Sequence, residues 1–511
     1  MIAHDEKKSG SKPPSRQLGV LDATMIVMGS MIGSGVFITS AESLRLTGAP
    51  GYLLLAWLIS GLMTISGAAC AAEIAAMMPR VGGQYVFLRT AYSPAVGFLF
   101  GWAMFLVVQC GTIAAVAVAF AKFLGVFVPA VAADNYLISP IQARRYAVSL
   151  STQQLTAVAL VVFLTAVNMG GLSIGKWIQN TFTFTKTAAL MGLIVLGLFW
   201  GWNTESAAYT ASWWNSAANG WSSKTASPGL PLEGAHALVL LLGSAMIGPL
   251  FSQSAWNNVT FTGGEVKDPG RTFPISLMVG TLSVVVLYVL ANFAYVVTLT
   301  YSGIANAPND RVGTAALEAI LGPAGAKVMA GAILISTFGC VNGLVLAGAR
   351  IYYAMARDGL FFRAAARLNR KGAPAAALLA QGLWAAFLTL PVTAATDQAG
   401  VIKFGNLYNE LLEYVIPVDV MFYSLMVGAV VAMRIKAPWL KRPYRTIAYP
   451  LPAVIYIGLA VFLAADFIYL KPTTSGMGFL IVLAGLPVYW AWSRRGAGPV
   501  AAEPRNEPAA P

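Results

Sequence analysis

The sequence is poor in the residues on which most soluble chemistry depends. Among 511 residues there are two histidines, His4 and His236, and three cysteines, Cys70, Cys110 and Cys340. Two imidazoles are too few for most metal sites or nucleophilic triads. Three thiols, all inside apolar runs, give no disulfide framework and read as small core residues. No metal and no cofactor are expected. Charge is equally scarce: Asp, Glu, Lys and Arg make up 10% of the chain and mean hydropathy is +0.69, which excludes a water-soluble fold of this length. A cleaved leader is not expected, because the first apolar run is too long for one.

What the chain has instead is apolar length. Twelve segments, at about 20–44, 51–78, 95–129, 151–171, 177–201, 236–262, 274–299, 325–356, 374–393, 404–433, 449–470 and 475–494, stand out, and most reach the roughly 20 residues that a bilayer demands. The net charge of +13 could suggest nucleic acid, but its distribution points elsewhere. With the N-terminus inside, roughly two-thirds of the Lys and Arg fall on the cytoplasmic side, the asymmetry that sets membrane orientation. The basic excess therefore meets anionic lipid headgroups, and no nucleic-acid role is expected. Residues 1–18 read as a cytoplasmic tail, 203–235 as an extracellular loop and 495–511 as a disordered tail rich in Ala and Pro. The stretch PRVGGQYVFLRTAYSP between the second and third segments predicts a short amphipathic helix along the inner face.

The first segment carries glycines where a spanning helix gains nothing from them. Gly29 to Phe37 reads GSMIGSGVF, with Gly33 and Gly35 bracketing Ser34. Residues without a Cβ let the backbone leave helical geometry and approach a ligand closely. A turn opened in this way bares N–H and C=O groups, which hydrocarbon penalises unless they face protein or a wet cavity. The alternative is a small-xxx-small face for helix packing, formed by Gly29 and Gly33. A second interrupted segment, GSAMIGPLFSQSAWNNVTF from Gly243 to Phe261, favours the open turn. Paired interruptions in corresponding segments of two halves point to a transporter with a midplane site.

Ionisable groups inside spans are few. Lys186 lies midway along the fifth segment, where insertion costs on the order of 2.5 to 3.5 kcal/mol and usually marks function. Glu73 near the end of the second segment, and Glu410, Glu413 and Asp419 in the tenth, are the intramembrane acids. Such acids carry a coupling proton or, more often, pair with Lys, Arg or backbone donors as structural or gating contacts. Gln109, Asn168 and Asn257 are polar groups in spans that suit a pocket or interhelical hydrogen bonds.

At this point the residues match a known family. GSMIGSGVF at Gly29, AAEIAAMMPRVGGQYVFLRTAY at Ala71, NTFTFTKTAAL at Asn180, FSQSAWNNVTFTGGEVKDPGRTFP at Phe251, NGLVLAGARIYYAMARDGLF at Asn342 and MRIKAPWLKRPYRTIAYPLP at Met433 occur in one order over roughly residues 18 to 455. Together they resemble the amino acid-polyamine-organocation (APC) superfamily of permeases, and within it look most like the L-type amino acid transporter branch and its bacterial relatives.

The resemblance implies an all-α integral membrane protein with 12 transmembrane helices and a LeuT-type 5+5 inverted repeat, in which segments 1 and 6 are unwound. Residues 19–202 and 236–433 would be the two repeats and 434–494 the last two helices. It implies substrate contacts at Ile32, Gly33, Ser34, Gly35, Phe251, Ser252, Ser254 and Asn257. The amino acid carboxylate would lie at the N–H groups of the first break, and Phe251 would close over it as an aromatic gate. Lys186 matches the position where sodium-coupled relatives of this fold hold a sodium ion, so that a resident cation makes sodium redundant. Glu73 and Glu410 are kept as gating or proton-linked groups.

Two departures from the family's pattern matter. Ser254 and Ala255 stand where relatives commonly have glycines, and Gln253 where an aromatic is frequent, so large aromatic substrates are not expected. The external loop at about 130–150 lacks the cysteine by which animal L-type transporters hold a heavy subunit, so no disulfide-linked partner is expected and the chain reads as a functional monomer.

The expectation is thus a non-enzymatic secondary transporter in the cell membrane, with both termini cytoplasmic, exchanging neutral L-amino acids by alternating access without sodium. Proton-coupled uptake, polyamine or organic-cation transport, and a membrane-bound nutrient sensor are the alternatives. A lipid-modifying membrane enzyme would need a nucleophile with its base or paired acids, and none is evident.

Overall fold

The computed structural model describes residues 18–143, 146–170, 173–223, 234–396, 402–404 and 407–494. Apart from Leu18, the two tails lie outside the described residues, as does part of the external loop that follows the fifth segment.

Among the described residues ten helices are long and apolar enough to cross a membrane; the shorter apolar helices His236–Ser252, Val312–Leu321 and Ala375–Phe387 accompany them. Local signals start and stop them. Pro50, Pro94, Pro269 and Pro323 open helices, where a fixed φ and a missing N–H cost nothing. Gly48, at φ 74°, closes the helix Ser40–Thr47 in the left-handed conformation that only glycine adopts freely. The stretch between the second and third segments forms the expected short helix, Gln84–Ala91, with Tyr85, Phe87 and Leu88 buried.

The first segment is interrupted as its glycines predict. Helix Val20–Met31 stops, the chain turns at Ile32–Ser34, and helix resumes over Gly35–Ile38 and Ser40–Thr47. The sixth is interrupted too. Gly234–Ala245 and Ile247–Ser252 give way to an irregular stretch in which Ala255 has φ 64°, before a single turn at Asn258–Phe261. The third carries a π-helical turn at Met104–Val108, between Pro94–Ala103 and Gln109–Leu124.

The all-α expectation needs correcting. Strands β1 (Tyr136–Ala143), β2 (Tyr146–Ser151), β3 (Pro391–Thr396) and β4 (Ile402–Phe404) form a four-stranded antiparallel sheet in that order. Ile138 pairs with Leu150, and Val148 with Pro391, so the loop after the third segment is stitched to the one after the ninth. A search for runs of roughly 20 apolar residues passes over such strands, whose half-buried face needs only every second residue apolar. For the same reason the ninth segment, expected to reach residue 393, ends as a helix at Phe387. Ser151 and Gln154 form a capping box that starts helix Thr152–Met169 directly from β2, and the Gln154 amide donates to Thr389 O at 2.9 Å.

Candidate substrate site

The first break exposes a helix end, and four neighbouring side chains cap it. The Lys186 ammonium donates to Gly29 O, Tyr288 Oη to Met31 O at 2.9 Å, Ser336 Oγ to Ile32 O at 3.4 Å, and Cys340 Sγ approaches Ser30 O at 3.9 Å. A helix leaves its last four carbonyls without intrahelical partners. Here the donors arrive from three other helices: Ser173–Phe199, Pro269–Thr298 and Pro323–Arg357. Lys186 is buried at 1% exposure, so its charge sits in a dry site against the negative end of a helix dipole. Its side chain points inward at the break.

The other side of the turn is left with donors. The N–H groups of Gly33 and Ser34 give no hydrogen bond to a backbone carbonyl among the described residues. They precede the half-helix that begins at Gly35, the arrangement that favours an anion. Ser34 Oγ lies 3.0 Å from Tyr408 Oη, and the Tyr408 ring meets Phe251 edge-on with centroids 6.0 Å apart. Tyr408 therefore joins the two breaks from the helix Leu407–Lys436. Sequence reasoning passed over it, because a tyrosine at a helix start carries no signal; only its hydroxyl partner marks it.

The two breaks touch at Gly35. A Cβ built there would lie 2.9 Å from Ser252 Cβ and 3.0 Å from its Cα. A Cβ at Gly33 would meet Cys340 Sγ at 3.3 Å. Close packing thus falls on Gly35, within the open turn, rather than on the Gly29–Gly33 pair.

Of the second-break residues, Ser252 donates to Gly248 O at 2.8 Å and Ser254 Oγ to Phe251 O at 2.9 Å, each capping its own turn. Asn257 is held on both sides: its amide donates to Gln84 Oε1 at 2.6 Å and its oxygen accepts from Tyr423 Oη at 3.0 Å. Tyr423 Oη also accepts from Ala255 N at 3.1 Å, and its ring stacks on Trp256 at 4.9 Å. It therefore braces the strained residue directly, and it too went unnoticed in the sequence. Gln253 is turned away, its amide aimed at Trp57 O. Ser34 and Phe251 thus meet through Tyr408, and Gly35 meets Ser252, while Ile32 and Gly33 face Ser336 and Cys340, Ser254 stays within its own turn, and Asn257 belongs to the bracing network.

Of the acids, Asp419 is buried beside Tyr423, and the three glutamates lie elsewhere. Glu73 is fully buried and knotted to Arg434 at 2.9 and 2.7 Å, to Thr446 N and Oγ1 at 2.8 Å each, and to Arg442 at 3.5 Å. That is the structural or gating contact expected as the commoner fate of such a group. Glu413 pairs with Lys471 at 2.8 Å and accepts from Thr474 Oγ1 at 2.8 Å. Glu410 is partly buried and engaged in interactions of its own.

Two interrupted membrane helices, joined at a glycine, with N–H groups between them that no backbone carbonyl takes up among the described residues, define a transporter, because irregular backbone at such depth is tolerated only where it lines a site. The chain belongs to the amino acid permease family, whose model matches residues 18–491. It is 27% identical to the serine/threonine exchanger SteT of Bacillus subtilis, over 94% of this chain and 98% of that one. It is also 27% identical to the human large neutral amino acids transporter small subunit 2, over 93% and 80% of the two chains. The human b(0,+)-type amino acid transporter 1 is 26% identical over 95% and 91%. The chain is a membrane protein that carries amino acids, of a family whose relatives are transporters rather than enzymes.

Proposed function

We propose that this chain is a twelve-span exchanger of neutral L-amino acids, working by alternating access without sodium and built on a LeuT-type inverted repeat. In this reading residues 19–202 and 236–433 are the repeats, both termini face the cytoplasm of the cell membrane, and the chain works as a monomer. The observation that carries it is the first break: Gly33 and Ser34 N–H groups that no backbone carbonyl takes up among the described residues on one side, and a buried Lys186 against Gly29 O on the other. The carboxylate of a zwitterion takes the donors. Lys186 supplies the positive charge that a coupled cation would otherwise bring, so gradients of substrate are left to drive movement.

Phe251 closes the site against Tyr408, and release of that contact is the opening step. Crowding between Gly35 and Ser252, with Ser254 and Ala255 in place of glycines, favours small neutral side chains, in keeping with the serine/threonine exchanger among the relatives. A polyamine substrate finds less support, since Glu413 is committed to Lys471 and Glu73 to two arginines. All three cysteines are buried, which supports a chain without a disulfide-linked partner.

The deciding experiment is counterflow in proteoliposomes with a panel of labelled amino acids, in sodium and in choline, with and without a pH gradient. Exchange of small neutral amino acids at equal rates in both salts is expected. Uptake that requires sodium or an inward proton gradient would overturn the exchanger reading, and binding without counterflow would make the protein a sensor.

A further inference from the structure

At the end of the bundle that carries the sheet, a cavity of about 350 Å³ opens on the surface, and no residue of either break lines it. That volume falls in the range of about 300–1,000 Å³ in which proteins hold small molecules. Arg311, Thr314 and Glu318 enter it from the helix Val312–Leu321 and its first flanking residue, at spacings of three and four residues that put them on one face. Lys327 comes from the start of Pro323–Arg357, and Gly125 and Val126 from the end of Gln109–Leu124.

The charges in this cavity do not meet. Arg311 is partly buried, and its guanidinium donates from Nε to Pro308 O at 3.2 Å and from Nη1 to Lys122 O at 3.2 Å, which leaves the remaining N–H donors of the fork unused. Lys327 and Glu318 are exposed at the mouth. Among the described residues none of the three forms an ion pair, although all line one cavity. Opposite charges held apart in this way leave room for a ligand that carries both. The surroundings narrow its class. Phe127, Leu321 and Val328 are exposed beside the cavity, and a Cβ built at Gly331, one turn beyond Lys327, would lie 3.6 Å from the Phe127 ring. The helix runs on from there through its span, so charged groups stand at the mouth and an uncovered apolar surface begins directly past them. That is the boundary at which phospholipid headgroups meet acyl chains. A phosphate suits the donors of Arg311 and Lys327 in charge-assisted hydrogen bonds, and a primary ammonium suits Glu318. An anionic headgroup without an amine would satisfy the basic pair but leave Glu318 opposed.

We infer that this cavity binds the headgroup of an aminophospholipid of the phosphatidylethanolamine type, with its phosphate between Arg311 and Lys327, its ammonium at Glu318 and its acyl chains along Phe127 and Val328. Another face of the same helix rests on the half-helix that follows the first break. A Cβ built at Gly313 would lie 2.9 Å from Phe37 Cδ1 and 3.2 Å from Phe37 Cβ. A bound headgroup is therefore tied, through Val312–Leu321, to Gly35–Ile38.

The test is native mass spectrometry of the delipidated full chain in detergent, titrated with phosphatidylethanolamine, phosphatidylglycerol or phosphatidylcholine of one acyl composition, as wild type, Lys327→Met and Glu318→Gln. Wild type should retain a phosphatidylethanolamine under washing that strips the other two lipids. Lys327→Met should hold it at least about tenfold less tightly, the scale of a lost hydrogen bond between charged groups. Glu318→Gln should keep binding but lose the preference for phosphatidylethanolamine over phosphatidylglycerol. Both substitutions change exposed side chains, and thermal melting checks that the fold is kept. Equal retention of the three lipids by wild type, or retention of none, would overturn the inference, as would unchanged affinity and preference in the two variants. Displacement of the lipid by an equal amount of soluble phosphoethanolamine or inorganic phosphate would make this a site for a free phosphate compound and overturn the lipid.

Discussion

The contact between Gly35 and Ser252 offers the sharpest test of how the two breaks work together. In Gly35→Ala the new Cβ would stand 2.9 and 3.0 Å from Ser252 Cβ and Cα, and closer still to Ser252 Oγ. The hydroxyl can rotate away, but the Cα is backbone and cannot yield without moving the second break. Overpacking of this kind typically costs about 1–3 kcal/mol. Against it stands the helical preference of Ala over Gly, worth about 0.5–1 kcal/mol, which favours the half-helix that starts at Gly35. The net cost is then about 0–2.5 kcal/mol, and it falls on the seating of one break on the other. Counterflow should fall by a few-fold to about a hundredfold, at 1.4 kcal/mol per factor of ten. Ser252→Gly removes the Cβ and Oγ that crowd the site, and the double variant should recover part of the loss. The assay is a double-mutant cycle of counterflow rates beside thermal melting in detergent. Additive losses in the cycle, or wild-type exchange in Gly35→Ala alone, would refute the idea that the breaks meet at this point during transport.

Other outcomes follow from the same geometry. Lys186→Ala should abolish exchange with surface expression intact, and full activity there would remove the role given to the buried ammonium. Tyr408→Phe deletes one hydrogen bond to Ser34, worth about 0.5–1.5 kcal/mol, and should weaken substrate affinity up to about tenfold while the protein still folds. Glu73→Gln leaves Arg434 and Arg442 without their buried counter-charge and should destabilise by about 3–5 kcal/mol, read as a fall in melting temperature, with the pH profile of exchange unchanged. Lys471, outside the spans, is opposed by burial but held by Glu413, and the net effect raises its pKa above the ordinary lysine value. Its contribution to stability is then fully present at neutral pH and lost only as pH rises past the lysine range. Lys471→Met should cost the same at about pH 6 and about pH 9.

Most of the helical frame is legible in the sequence, because a run of apolar residues long enough for a bilayer has few other uses. The breaks are legible for the opposite reason: Gly33 and Gly35 in the first and Pro249 in the second are costly inside a helix and so announce an exception. The sheet is not legible, since β1 to β4 are short and the pairing that joins its two halves, β2 with β3, links segments some 240 residues apart in the chain. Nor are Tyr408 and Tyr423. Each sits at an ordinary position of an ordinary helix, and what distinguishes it is a partner from a distant segment: Ser34 or Asn257. Lys186 stood out because nothing in its own segment could neutralise it.

The helix that carries Tyr408 and Tyr423 has Pro417 between them. Proline has no N–H to return to the carbonyl four residues earlier, and that carbonyl, Glu413 O, instead accepts from Ser475 Oγ at 3.0 Å. The rod therefore lacks one rung midway, with its spare acceptor parked on a neighbour. Tyr408 on one side of that missing rung holds Ser34 and Tyr423 on the other holds Asn257, so the two breaks hang from opposite arms of a single helix.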